Sequence, residues 1–90
     1  MPNVIVYGFE ESVFRCPPCI NAKRFLAAKK IPYEFVSVAT HKGSDGAPVL
    51  NEVVIDELES ILGTRKMTMP QIVINGHPIG GFTELQKYKF

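Results

Sequence analysis

The chain has 90 residues, 46% apolar and 21% charged, and its ten basic and nine acidic side chains leave a formal charge of +1. That length makes a single domain, 1–90, whose core buries about 60–65% of the unfolded surface. The charge argues against nucleic-acid binding driven by bulk electrostatics, and no stretch approaches the roughly 18 apolar residues of a membrane span.

Val4-Ile5-Val6-Tyr7, closed by Gly8, is a continuous apolar run and predicts a strand covered on both faces. Phe9 to Phe14 is a loop carrying Glu10, Glu11 and Ser12. A helix follows from Pro17 to Lys30, with Ala22, Phe25, Leu26 and Lys29 on one face, and Ile31-Pro32 stops it. Tyr33 to Val38, aromatic and β-branched, is the second strand, so the first three elements form a right-handed βαβ unit with parallel strands. Ala39 to Ala47 is predicted as a polar loop. Pro48 opens a second helix at its first position, with Leu50, Val53, Val54, Leu58, Ile61 and Leu62 as its apolar stripe and Gly63 after its end. Gln71 to Ile74 is a third strand, and Asn75-Gly76 turns the chain back into His77 to Gly80. Thr83-Glu84-Leu85-Gln86 has capping-box spacing and starts a short helix running to Phe90. This order predicts a thioredoxin-like α/β fold, with a four-stranded mixed sheet flanked by three helices.

Both cysteines lie in Arg15-Cys16-Pro17-Pro18-Cys19, on the strand-to-helix connection. The first-turn N–H groups and the positive end of the helix dipole favour an anion there, and a thiolate so placed has a depressed pKa. Pro17 and Pro18 carry no N–H, so the first backbone donor free to meet the Cys16 sulfur is that of Cys19. Cys16 is therefore read as the exposed attacking thiol and Cys19 as the buried resolving thiol one turn in. Arg15 and Lys23 are the cations placed to support the thiolate. Tyr7, Phe9 and Phe14 offer either core packing or an apolar rim for a protein substrate. Two cysteines three apart cannot staple a useful loop, and Met1 to Val4 has no basic segment ahead of a long apolar run. The expectation is a pair that cycles in a reducing cytoplasm. A zinc site would need two further ligands, and only His41 and His77, both in polar surroundings, remain.

Cys16-Pro17-Pro18-Cys19 after the first strand, Ala22-Lys23, Thr68-Met69-Pro70 before the third strand and Gly80-Gly81-Phe82-Thr83-Glu84 before the last helix together resemble the glutaredoxin family over nearly the whole chain. The loops before Cys16 and after Val38 look most like the small phage-encoded members, some of which reduce ribonucleotide reductase. The resemblance implies a glutathione-dependent thiol–disulfide oxidoreductase, with glutathione as reducing co-substrate, no bound cofactor or metal, and a monomeric state. It implies that Pro70 is cis beside the cysteines, that Thr68 and Met69 offer backbone groups to the cysteinyl part of glutathione, and that Pro17 borders it. Gly81, Phe82, Thr83 and Glu84 would receive the γ-glutamyl end, and Arg15, Arg65 or Lys66 the glycyl carboxylate.

Three positions depart from the family pattern. Pro18 replaces the usual tyrosine, Val13 the common lysine before the nucleophile, and Thr83 the aspartate after Gly-Gly-x. Two other functions are compatible with these residues. One is a thioredoxin-type donor reduced by a flavin thioredoxin reductase; the other is a scaffold for a metal or an iron–sulfur cluster.

Overall fold

The computed structural model describes residues 3–90; Met1 and Pro2, part of the N-terminal stretch read above, lie outside the described residues. Strands β1 (Val4–Gly8), β2 (Glu34–Ser37), β5 (Gln71–Ile74) and β6 (His77–Gly80) form one sheet in the order β2-β1-β5-β6. β1 runs parallel to β2 and antiparallel to β5, and β6 is antiparallel to β5. Helix α1 (Pro17–Ala28) makes the crossover between β1 and β2, as the βαβ spacing requires.

Alternation along the central strands assigns each residue to a layer. Val4, Val6, Ile72 and Ile74 face Ala22 and Leu26 of α1 and Leu85 of α3 (Phe82–Lys87). Tyr7 and Val73 point the other way, onto Ile55 and Leu58 of α2 (Glu52–Leu62). The apolar run of β1 is continuous because both its faces are covered. No helix among the described residues is long and apolar enough to cross a membrane.

Asn75 and Gly76 turn the chain between β5 and β6 with φ of 52° and 82°, the doubly left-handed turn that Asn-Gly favours. α1 ends earlier than the sequence suggested, at Ala28. Lys30 takes the left-handed conformation (φ 57°) and Ile31 N–H donates to Leu26 O, which closes the helix two residues short.

The larger correction lies between Ala39 and Leu50. The predicted polar loop is a hairpin, β3 (Ala39–Lys42) with β4 (Pro48–Leu50), forming a separate two-stranded sheet. Thr40, His41 and Lys42 are all exposed, so no period-2 apolar pattern announced the strand. Pro48 is a strand residue and does not open α2. Asn51 is the N-cap instead, its side chain accepting Val54 N–H. Leu50 is then off the helix, and Val53 is 77% exposed, while Ile55 joins Leu58 as the buried anchors of α2. The last helix also starts earlier. Gly81 is its N-cap and Glu84 Oε1 accepts Gly81 N–H at 2.7 Å, so Thr83 lies within the first turn and the helix stops at Lys87.

Tyr7 is 2% exposed, and its hydroxyl donates to Glu57 Oε1 at 3.4 Å. Burial, reinforced by the Glu57 carboxylate, raises its pKa above the ordinary phenol value. A raised folded pKa means that the unfolded chain loses its proton first. This contribution is whole below the unfolded phenol value of about 10 and is lost as pH rises through the folded one. Urea unfolding above about pH 10 is therefore expected to show a stability loss that Tyr7→Phe reduces. Identical alkaline slopes in the two proteins would remove this account of Tyr7.

Candidate active site

The site is built where β1, α1 and the segment before β5 meet. Cys16 is the N-cap of α1, in extended conformation, and the two prolines fill the first helical positions. Cys19 N–H donates to Cys16 Sγ at 3.3 Å, the donor left once the prolines are discounted. The cysteines are joined as a disulfide, with their Cα atoms 5.3 Å apart. Cys16 retains 6% exposure and Cys19 none. The order of accessibility agrees with the assigned roles, but Cys16 is more covered than an exposed thiol. Part of that cover is the Met69 carbonyl oxygen, 3.9 Å from its sulfur. No acidic residue lies in the first turn of α1 to oppose its dipole.

The Met69–Pro70 peptide bond is cis, and Pro70 is buried while Thr68 is exposed and Met69 half-buried. The Thr68 carbonyl accepts from the Gln71 side chain at 2.7 Å, so it is already engaged. Gly81 follows β6 and Phe82 to Glu84 open α3, and Gly81 lies beside Pro70: a Cβ there would sit 3.4 Å from the Pro70 carbonyl oxygen. Phe82 turns its ring inward onto Phe25, 6.2 Å between centroids, and what it presents to the site is backbone. The Glu84 carboxylate is held by Gly81 N–H.

Arg15 and Lys66 are exposed. Arg65, the third cation considered for a carboxylate, is occupied: Glu52, Asp56 and Glu59 from one face of α2 meet its guanidinium at 2.6, 2.8 and 2.9 Å. The hydrogen bonds to Asp56 and Glu59 push its pKa up further. Lys23 lies 4.4 Å over the Phe35 ring, one helical turn beyond Cys19. Tyr7 belongs to the core. Phe9 and Phe14 stack edge to face at 5.1 Å, with Phe14 45% exposed. His41 hydrogen-bonds with Thr40, and among the described residues no three His, Cys, Asp or Glu side chains converge as a metal site.

Two features of the site were not read from the sequence. Gly8, the last residue of β1, lies against the disulfide: a Cβ there would sit 2.9 Å from Cys19 Sγ and 3.4 Å from the Phe35 ring. A glycine closing an apolar strand ahead of a Cys-x-x-Cys was the available signal. Gly8→Ala is expected to cost about 1–3 kcal/mol through overpacking against the buried sulfur. Denaturant unfolding of the oxidised protein checks this, and a change below about 0.5 kcal/mol would contradict the close packing. The second feature is a cleft of about 430 Å³ next to Met69, walled by Phe9, Leu50, Ile55 and Met67, with Glu52 and Arg65 at its edge. Leu50 reaches it only because the hairpin exists.

The sequence model of the glutaredoxin family matches residues 4–79. A glutaredoxin of Enterobacteria phage T4 is 39% identical over 87 residues, covering 92% of this chain and 94% of the phage protein. Among solved structures, glutaredoxin 1 from Francisella tularensis, complexed with cacodylate, superposes with a TM-score of 0.67 at 26% identity, over 97% of this chain and 91% of that one. The buckwheat glutaredoxin–glutathione complex superposes with a TM-score of 0.65 over 96% of this chain and 66% of its own; at 21% identity this likeness concerns the fold.

Proposed function

The chain belongs to the glutaredoxin family, a family of thiol–disulfide oxidoreductases, and from that premise we propose that it uses glutathione to reduce protein disulfides and glutathione mixed disulfides. The observation that carries the reading is the placement of Cys16. Its sulfur caps α1, receives Cys19 N–H at 3.3 Å and lies 3.9 Å from the Met69 carbonyl, beside backbone that a peptide-like substrate can follow.

In the reducing direction the Cys16 thiolate attacks one sulfur of a substrate disulfide. A Cys16–substrate disulfide forms and the other substrate sulfur leaves as a thiolate. Cys19, after losing its proton, attacks Cys16 Sγ, which closes the Cys16–Cys19 bond and releases the second substrate thiol. Two electrons have then passed from the dithiol. One glutathione thiolate reopens the disulfide as an adduct on Cys16, and a second displaces it as oxidised glutathione. With a glutathione mixed disulfide as substrate, Cys16 takes the glutathionyl group and glutathione alone resolves it.

Glutathione would lie with its cysteinyl backbone along Thr68 and Met69, beside Pro17 and Pro70. Its γ-glutamyl end would meet Gly81 to Glu84, and its glycyl carboxylate Arg15 or Lys66. Protein disulfides, that of ribonucleotide reductase among them, are the second substrate class. We further propose that the chain works as a monomer in a reducing cytoplasm, because a pair three residues apart closes within one chain.

The test is reduction of a small glutathione mixed disulfide, coupled through glutathione reductase to NADPH oxidation. The rate is expected to rise with glutathione and with enzyme. No turnover with glutathione, alongside reduction of the same protein by thioredoxin reductase, would replace this reading with the thioredoxin-type donor.

A further inference from the structure

The cleft beside Met69 shares that residue with the disulfide, whose Cys16 sulfur lies 3.9 Å from the Met69 carbonyl. A chain bound along Met69 to present a disulfide to Cys16 would lie beside the cleft that Met69 helps to line. At about 430 Å³ the space lies within the roughly 300–1,000 Å³ of small-molecule sites and can take a large side chain. Its walls are Phe9, Leu50, Ile55, Met67 and Met69, with Leu50 44% exposed. Glutathione ends in glycine and has no apolar side chain to fill it.

Glu52 and Arg65 line the cleft, and Asp56 and Glu59 share the same guanidinium from α2. The charge cluster bordering the cleft therefore carries three carboxylates against Arg65, an excess that remains with Lys66 counted as the next residue. Such an edge attracts a cation and repels a second carboxylate.

We propose that this cleft is a side-chain subsite for protein disulfides, taking a bulky apolar residue adjacent to the attacked cysteine, with a basic residue beyond it at the Glu52 edge. The proposal rests on Cys16 being the attacking thiol. It makes protein chains with apolar and basic residues around the cysteine better substrates than the same disulfide between glycines.

The test uses the reduced full chain and capped peptides in which one cysteine is held as a mixed disulfide with 5-thio-2-nitrobenzoate. Release of the nitrobenzoate thiolate reads the rate of attack. Three peptides place the cysteine between glycines, between leucines, or between leucines with outer arginines. The leucine peptide is expected to react about tenfold faster than the glycine peptide, the order of discrimination given by one apolar group in a pocket. Arginines should add a further gain that salt removes. Leu50→Ser, and independently Met67→Ala, should bring the leucine-to-glycine ratio toward one, and Glu52→Gln should reduce only the arginine gain.

A wild-type ratio within about twofold of one, with normal release from all peptides, would overturn the subsite while leaving the exchange chemistry intact. So would a preference that survives both cleft variants. Release from no peptide would instead overturn the reading of Cys16, and the subsite with it.

Discussion

Cys16→Ser is expected to abolish disulfide exchange, lowering the rate on any disulfide by at least about three orders of magnitude, because no other group can replace the attacking thiolate. Cys16 and Cys19 are the only cysteines in the chain, and Cys19 is wholly buried behind Cys16. Its sulfur is packed toward Gly8, so a Cys16→Ser protein keeps a thiol that a disulfide substrate cannot reach. Cys19→Ser should behave differently. It should still reduce glutathione mixed disulfides, where glutathione resolves the adduct, and should stall as a covalent adduct on protein disulfides. Comparing rates on both substrate types separates the roles. Equal losses in the two variants would contradict the division of labour.

The second large effect is on the scaffold. Leu26 has no exposed surface and sits in the layer joining α1 to Val4, Val6, Ile72 and Ile74. Leu26→Ala removes that contact and leaves a cavity, at an expected cost of about 2–5 kcal/mol. Domains of this kind have total stabilities of about 5–15 kcal/mol, so the variant should unfold at far lower urea than wild type and lose α1 as the platform of the site. A shift in the unfolding midpoint equivalent to less than about 1 kcal/mol would mean that α1 is held chiefly by something other than this layer.

Much of the sheet was legible because its residues carry unambiguous signals. Val4 to Tyr7 and Ile72 to Ile74 are apolar on both faces, as strands β1 and β5 with helices on either side must be. Asn75-Gly76 needed no tertiary context, since few other pairs adopt two positive φ values. The donor from Cys19 to Cys16 followed from proline chemistry alone. The hairpin of Ala39–Lys42 with Pro48–Leu50 was not legible. Thr40, His41 and Lys42 are polar and exposed, and Val49 and Leu50, standing before a helix, read equally well as its first turn.

At the site the same limit applied to charge. Arg65 looked like a free cation next to Thr68-Met69-Pro70, and only the placement of α2 brings Glu52, Asp56 and Glu59 onto it. Glu84 stands among the residues that the resemblance offers to the γ-glutamyl end. Its reach back to Gly81 depends on the helix starting at Phe82, one residue ahead of the Thr83 box. Spacing identifies which residues share a segment; which charges neutralise each other is decided by packing between segments.

The central claim, that Cys16 is the thiol exchanging with glutathione, is tested most directly by incubating reduced Cys19→Ser protein with oxidised glutathione and locating the adduct by peptide mass spectrometry. The account predicts a single glutathionyl group on Cys16, released by added glutathione. A protein that stays unmodified under conditions that glutathionylate an ordinary exposed thiol would contradict it.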